Sequence, residues 1–378
     1  MDHASLQFQD FGLLSTLNDT LKEKELQKPT EIQARVIPLL LKGRSVVGVS
    51  QTGSGKTLAF VLPILHAVKD LENQGKAVQG EGRPRALVMV PTRDLGEQVT
   101  RVFKPFTHNT RVRVRGALGG TPFEVSRRNI GGSFEVLIAT PGRLAKLLEL
   151  KHLDLSDVRV LIFDEADQML DPGFLPDANR IVEACPAHAQ MGLFTATLSK
   201  TVKKLMDDLF VGVEVIRTEN SHRLVSTLKT ENRKVIQGKR LPILDSVLKE
   251  KVSGGTLFFT NTREQCDTLS KEFEKRGIPC VVYRGEMDKV KRRQNLKAFR
   301  EGQIAYLIST DLASRGLDID HVGRVVNYHL PQSLDNYFHR VGRTARAGRK
   351  GRVINFVTER DQKLIDSLAD LEGSSDPS

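Results

Sequence analysis

Val160-Leu161-Ile162-Phe163-Asp164-Glu165-Ala166-Asp167 decides the reading of this chain, because an apolar run ends there in a pair of acids. Such a run predicts a buried strand, and its carboxyl end is where open α/β sheets gather their ligands. A carboxylate pair at that end can hold a Mg²⁺ ion through Asp164 and polarise an attacking water through Glu165, provided a second loop grips phosphates. Ser50-Gln51-Thr52-Gly53-Ser54-Gly55-Lys56-Thr57 is such a loop. Its glycines let backbone N–H groups approach phosphate oxygens, Lys56 can reach the β- and γ-phosphates, and the Thr57 hydroxyl can ligate the metal. Ser50 stands where the general pattern has Gly. Together the two stretches describe a site that hydrolyses a nucleotide.

Outward from this pair, apolar runs alternate with amphipathic stretches of helix length, the pattern of parallel sheets with crossover helices. Strands are predicted at Ser45–Val49, Ala86–Val90, Val136–Thr140, Val158–Phe163 and Met191–Thr195. A second set follows at Gly255–Thr260, Pro279–Tyr283, Ala305–Thr310, Val322–Tyr328 and Gly351–Val357. At 378 residues the chain exceeds what one core usually supports. The expected division is a first domain over 1–218, a linker over 219–226 within the polar stretch from Arg217 to Ser226, a second domain over 227–370 and a tail over 371–378. Asn73 to Arg85 reads as an exposed loop, and Glu372 to Ser378 as a frayed end.

Of the net charge of +11, +9 falls in residues 221–378, which hold 29 basic and 20 acidic side chains. That bias suits a polyanion such as nucleic acid, although a charge run is also compatible with a solvated face. No apolar run is long enough to cross a bilayer, and the start lacks the features of a signal peptide, so the expectation is a cytoplasmic protein with no membrane partner. Cys185, Cys266 and Cys280 stand far apart without CxxC spacing, which supports neither a zinc site nor a disulfide framework.

Polar residues recur just after the predicted strands: Pro91-Thr92-Arg93, Thr140-Pro141-Gly142-Arg143, Thr195-Ala196-Thr197, Asn261-Thr262-Arg263 and Thr310-Asp311. Each alone is compatible with a helix cap or a turn. Their repetition along two sheets points to a shared ligand edge. In His339-Arg340-Val341-Gly342-Arg343-Thr344-Ala345-Arg346, helical spacing would put Arg340, Arg343 and Arg346 on one broad face, which calls for an opposing anion. A triphosphate is one candidate, and a nucleic-acid backbone is another.

These residues resemble the DEAD-box RNA helicases of helicase superfamily 2, from about Phe8 to about Phe356. The resemblance implies two tandem RecA-like α/β domains, each a mostly parallel sheet flanked by helices, with ATP and Mg²⁺ as cofactors and RNA as partner of a monomer. Lys28-Pro29-Thr30-Glu31-Ile32-Gln33 looks like the family's Q motif, in which the Gln33 amide reads adenine and Phe8 stands at the spacing for stacking on that base. An amide offers a donor and an acceptor together. Thr195-Ala196-Thr197 is similar to the motif that, with Asp167 and His339, couples ATP state to domain closure. Asp318 would meet the ribose, and Arg343 and Arg346 would complete the site from the second domain as arginine fingers. RNA contacts are implied for Pro91, Thr92, Arg93, Gly119, Gly120, Thr140, Pro141, Gly142 and Arg143 in the first domain. In the second they are implied for Thr262, Arg263, Arg292, Thr310 and Asp311. Hydroxyls, glycine N–H groups and arginines suit phosphates and 2′-OH groups, so binding should be largely independent of base sequence.

The chain departs from the family pattern at Glu25, where the Q motif begins with Gly, and at Asp94, Gly96, Thr195, Arg284, Lys289 and Ala345. None removes a catalytic group; Arg284 and Lys289 add positive charge to the region implied to face RNA. The activity implied is RNA-dependent ATP hydrolysis with local opening of short duplexes or remodelling of RNA–protein complexes. Three rivals use many of the same residues: an RNA clamp that unwinds little, a DNA translocase of the same superfamily, and a nucleotide-binding protein without turnover.

Overall fold

The predicted runs become strands whose ends shift by one or two residues. In the first part of the chain these are β1 (Val46–Val49), β2 (Ala86–Met89), β3 (Val114–Ala117), β4 (Val136–Ala139), β5 (Val160–Asp164), β6 (Gln190–Thr195) and β7 (Glu214–Arg217). In the second part they are β8 (Leu228–Lys234), β9 (Gly255–Thr260), β10 (Val281–Tyr283), β11 (Tyr306–Thr310), β12 (Val322–Asn327) and β13 (Gly351–Val357). The computed structural model describes residues 6–51, 53–78, 80–169, 175–196, 213–218, 228–285, 287–311, 319, 321–345 and 350–373. The chain divides into two compact units, Met1–Ser221 and His222–Ser378.

Among the described residues, the first unit holds one sheet in the order β3-β4-β2-β5-β6-β1-β7, with every pairing parallel. Successive strand residues point to opposite faces, so each face builds its own core. Val88, Ile138, Ile162 and Phe194 join Phe60, Leu65 and Phe103 on one side. Leu87, Met89, Leu161 and Phe163 join Leu144, Leu147 and Ile181 on the other. Each such side chain withdrawn from water contributes about 1.5–3 kcal/mol, which fixes the strand register. The acids of β5 therefore end a strand whose position is set by two cores.

The second unit holds a sheet in the order β10-β11-β9-β12-β13-β8, again parallel throughout. Its faces are packed by Leu257, Phe259, Leu307 and Val325 on one side, and by Phe258, Ile308, Val326 and Ile354 on the other. Among the described residues no helix is long and apolar enough to cross a membrane.

Three strands had no apolar run to announce them. β3, β7 and β8 each lie at an edge of their sheet or carry charges through it, as in Leu228-Lys229-Thr230-Glu231-Asn232-Arg233-Lys234. Polar edge strands resist further pairing, and that same polarity hides them from a hydrophobicity reading. Arg217, placed in the linker stretch, is the last residue of β7, and residues 219–226 lie outside the described ones. At the end of the chain the helix Gln362–Gly373 runs through Glu372, so the chain stays helical past the point expected to fray. Asn73 likewise ends the helix Lys56–Asn73 rather than opening a loop.

Candidate functional site

The phosphate loop leaves β1 and turns directly into the helix Lys56–Asn73. Gly55 precedes that helix with φ +93°, a left-handed conformation that glycine adopts at no steric cost. Lys56 is 8% exposed; its Nζ bends back to donate to the Ser50 carbonyl and to the Gln51 carbonyl at 2.9 Å. Ser50 at the loop's first position is buried, and its Oγ lies 2.6 Å from the Ser54 Oγ. The hydroxyl that departs from the general pattern thus braces the loop internally. Thr52 lies outside the described residues.

Sheet order brings the acids to this loop, because β6 alone separates β5 from β1. Thr195 closes β6 in register with Val49, and its carbonyl accepts from the Ser50 N–H at 3.1 Å. Its Oγ1 donates to Asp167 Oδ1 at 3.1 Å, so the residues read as coupling partners share a hydrogen bond. Thr197 lies outside the described residues. Asp164 is the last residue of β5, 3% exposed, and its Oδ1 accepts from the Glu165 N–H at 3.0 Å. Glu165 follows with φ +53°, a conformation costly for a residue with a side chain and concentrated at functional sites. Burial pushes the Lys56 ammonium below its usual range, while the charges of Asp164, Glu165 and Asp167 pull it back. Burial, helped by the Glu165 charge, raises the Asp164 carboxyl to about 7 against the pull of Lys56. A cation beside Asp164 would relieve that penalty.

Gln33 reaches the loop from the helix Glu31–Leu41. Its Nε2 donates to the Gly55 carbonyl at 3.0 Å, and its Oε1 accepts from the Thr30 N–H at 2.8 Å. One donor hydrogen and one lone pair remain for a ligand. The Q-motif resemblance implies a role for Gln33 toward a base, and this tie to the phosphate loop is additional to it. Lys28 is exposed. Phe8, expected to stack on the base, is 2% exposed and packed edge-on to Phe11 within the apolar core.

The groups assigned to RNA in the first unit gather at the carboxyl ends of the neighbouring strands β2, β4 and β3. The Gly119 N–H donates to Thr140 Oγ1 at 2.9 Å, and Arg93 packs its Cδ 3.7 Å from where a Cβ on Gly120 would stand. Pro91 is buried ahead of Thr92, which caps the helix Arg93–Thr110 by accepting from the Leu95 N–H at 3.3 Å. Gly96 has its own reason to replace Ala, since a Cβ there would meet Leu118 Cδ2 at 2.4 Å. Pro141 opens the helix Pro141–Glu149 and Gly142 is exposed on it. Arg143 is spoken for: it donates to the Thr121 carbonyl at 2.6 Å, the Pro122 carbonyl and Ser126 Oγ, and lies over the Phe123 ring. These bonds brace the loop that carries the guanidinium.

In the second unit Thr262 and Arg263 follow β9, while Thr310 ends its neighbour β11 and Asp311 follows it. Thr262 caps the helix Arg263–Lys275, and Arg292 lies over the Tyr283 ring at 5.6 Å. Arg340 overturns part of the arginine reading. It is 1% exposed and bonds Asp311 through Nε and Nη2, Asn261 Oδ1 at 2.7 Å and Asn327 Oδ1 at 3.1 Å. Its anion is therefore Asp311, and Asp311 is engaged within the unit. The helix Leu334–Val341 also stops before Arg343, so helical phase does not set Arg343 on the face of Arg340. Arg343 is 4% exposed, with Nε donating to the carbonyl of the buried His339 at 3.2 Å. Arg284, expected to add positive charge, is paired with Asp267 at 3.0 and 3.1 Å. Asp318 and Arg346 lie outside the described residues.

Sequence reasoning also missed two polar devices. Gln168, 4% exposed, donates through Nε2 to Glu165 Oε2. In the second sheet Asn232, Asn355 and Asn327 stand in register on β8, β13 and β12 and bond amide to amide at 2.8 Å, delivering the chain of bonds to Arg340. Spacing of three from Glu165 was the available signal for the first; for the second, only strand register could reveal it.

Two parallel α/β sheets, with a phosphate loop after one strand and paired acids two strands away, define a P-loop protein built of RecA-like units. The chain belongs to the DEAD/DEAH box helicase family: residues 30–205 match that family and residues 239–348 match the helicase conserved C-terminal domain. It is 33% identical to ATP-dependent RNA helicase DeaD of Buchnera aphidicola, over 97% of this chain and 60% of that protein. It is 32% identical to ATP-dependent RNA helicase CshA of Listeria monocytogenes, over 95% and 67%. A structure of S. cerevisiae Dbp5 bound to RNA and ADP BeF3 superposes with a TM-score of 0.85 at 26% identity, covering 98% of this chain and 94% of that one. The chain spans about 60% of the length of relatives such as DeaD.

Proposed function

We propose that the chain is an ATP-dependent RNA helicase, hydrolysing ATP to ADP and phosphate in an RNA-dependent manner and opening short duplexes locally. The observation that carries the reading is the buried Lys56, folded into the phosphate loop within reach of the charges of Asp164, Glu165 and Asp167. ATP phosphates would take the place of the two loop carbonyls that Lys56 now contacts, a direct exchange of one set of oxygens for another. The remaining capacity of the Gln33 amide would select adenine.

A Mg²⁺ ion fits the donor set, because Asp164 is a hard oxygen ligand whose burial raises its carboxyl to about 7 even beside Lys56, and Thr57, with its hydroxyl, follows Lys56 in the chain. When bound, the ion would draw charge from the phosphate oxygens. Glu165 would accept the proton of a water whose oxygen bonds to the γ-phosphorus, as the bond from that phosphorus to the bridging oxygen breaks and ADP leaves. RNA would lie at the carboxyl ends of β2, β3 and β4 in one unit and of β9 and β11 in the other. Backbone-reading groups dominate both, so the target is RNA of little base preference. The relatives named ATP-dependent RNA helicases, and the Dbp5 structure bound to RNA and ADP BeF3, support the same reading.

The test is separation of a short labelled RNA duplex. Strand release with ATP that fails for Glu165→Gln is the expected result. ATP-stabilised RNA binding without strand release would instead favour a clamp, and equal ATPase stimulation by DNA of the same length would favour a translocase.

A further inference from the structure

We infer that Gln168 is a positioning residue for Glu165, fixing the carboxylate that activates water; the inference rests on the function proposed above. Glu165 stands on a backbone of φ +53°, and its side chain has three rotatable bonds with which to miss a water. Gln168 removes that freedom. Its Nε2 donates to Oε2, which sets the plane of the carboxylate and leaves Oε1 to take the proton.

Gln168 is itself immobilised. Its N–H closes the turn on the Glu165 carbonyl at 3.0 Å, its side chain is 4% exposed, and the flanking Ala166 and Met169 are buried in the first unit's core. The three acids of this segment thereby have distinct partners: Asp164 accepts from the Glu165 N–H, Glu165 from Gln168, and Asp167 from Thr195. The chemistry of the amide matters as much as its place. A neutral donor orients a carboxylate without placing beside it the positive charge that would lower its proton affinity. Gln168 therefore suits a base, whereas the ammonium of Lys56 suits phosphates.

A misdirected catalytic group lowers turnover by about 10- to 100-fold without weakening substrate binding. Gln168→Met keeps the length and volume but has no donor, and Gln168→Lys returns a donor along with a charge. Measured with saturating RNA, Gln168→Met should lower kcat at least about 10-fold, with KM for ATP and thermal midpoint both within experimental range of the parent. Gln168→Lys should recover part of that loss. Parental kcat in Gln168→Met, a loss shared equally by KM or thermal midpoint, or no recovery with Lys would each overturn the assignment. A parent protein that hydrolyses no ATP would sink the proposed function itself, whereas an active parent, an inactive Glu165→Gln and a fully active Gln168→Met would sink only this inference.

Discussion

Arg340 holds Asp311 by two guanidinium nitrogens, one of them Nη2 at 2.8 Å from Oδ2, at the carboxyl end of β11. The same guanidinium is 1% exposed, accepts the face of Phe259 at 5.0 Å, and donates to Asn261, Asn327 and the His329 carbonyl. A flat fork with fixed donors can serve all these oxygens at once, which an ammonium cannot. Arg340→Lys should therefore destabilise the second unit by about 3 kcal/mol, because the half-buried Asp311 carboxylate loses its two-point partner and the buried Asn327 amide loses its donor. Urea denaturation would read the loss; a change under half a kcal/mol would show that the network contributes nothing.

Glu25 has φ +58° just beyond the helix Ser15–Glu23, where the Leu26 N–H donates to the Leu21 carbonyl at 2.9 Å. That is the left-handed closing turn in which glycine is favoured. Glu25→Gly should raise the stability of the first unit by up to about 1 kcal/mol, seen as a higher thermal midpoint with ATP affinity unchanged.

Gln33 serves two ends, the Gly55 carbonyl and a base. Gln33→Ala should weaken binding of any nucleotide by loosening the phosphate loop, and should also narrow the preference for ATP over GTP. Competition binding separates the effects: a drop in affinity with discrimination intact would leave Gln33 a loop brace alone.

His329 carries a pH dependence. Burial, with the nearby charges of Arg240 and Arg340, lowers its imidazole from an ordinary 6.5 to about 4. Between those values the unfolded chain binds a proton that the folded one refuses, so stability present above pH 6.5 is lost as pH falls toward 4. The loss attributable to His329 is at most on the order of 3 kcal/mol. His329→Gln should flatten the stability profile of the second unit between pH 6.5 and 4, with denaturation midpoints at several pH values as the check.

Much of this was legible because the phosphate loop and the acids are contiguous and end strands whose apolar runs are unmistakable. What escaped was tertiary. β8 is polar along its length, so nothing in Leu228–Lys234 announces a strand until β13 stands beside it. Arg340 looked like one of three equivalent arginines because its partner, Asp311, lies 29 positions away. Phe8 fits a spacing that also fits a core position, and its burial could not be read from that spacing. Gln168 was hidden for the opposite reason: its partner is only one helical turn away, yet nothing in an isolated Gln says which way its amide points.

ATP hydrolysis by the carboxylates of the first unit should depend on RNA. Phosphate release should be measured with and without single-stranded RNA, for the parent chain and for Glu165→Gln. A slow parental rate that RNA raises many-fold is expected, with no turnover in Glu165→Gln although ATP and RNA still bind. An equal rate in the absence of RNA, or normal phosphate release from Glu165→Gln, would contradict it.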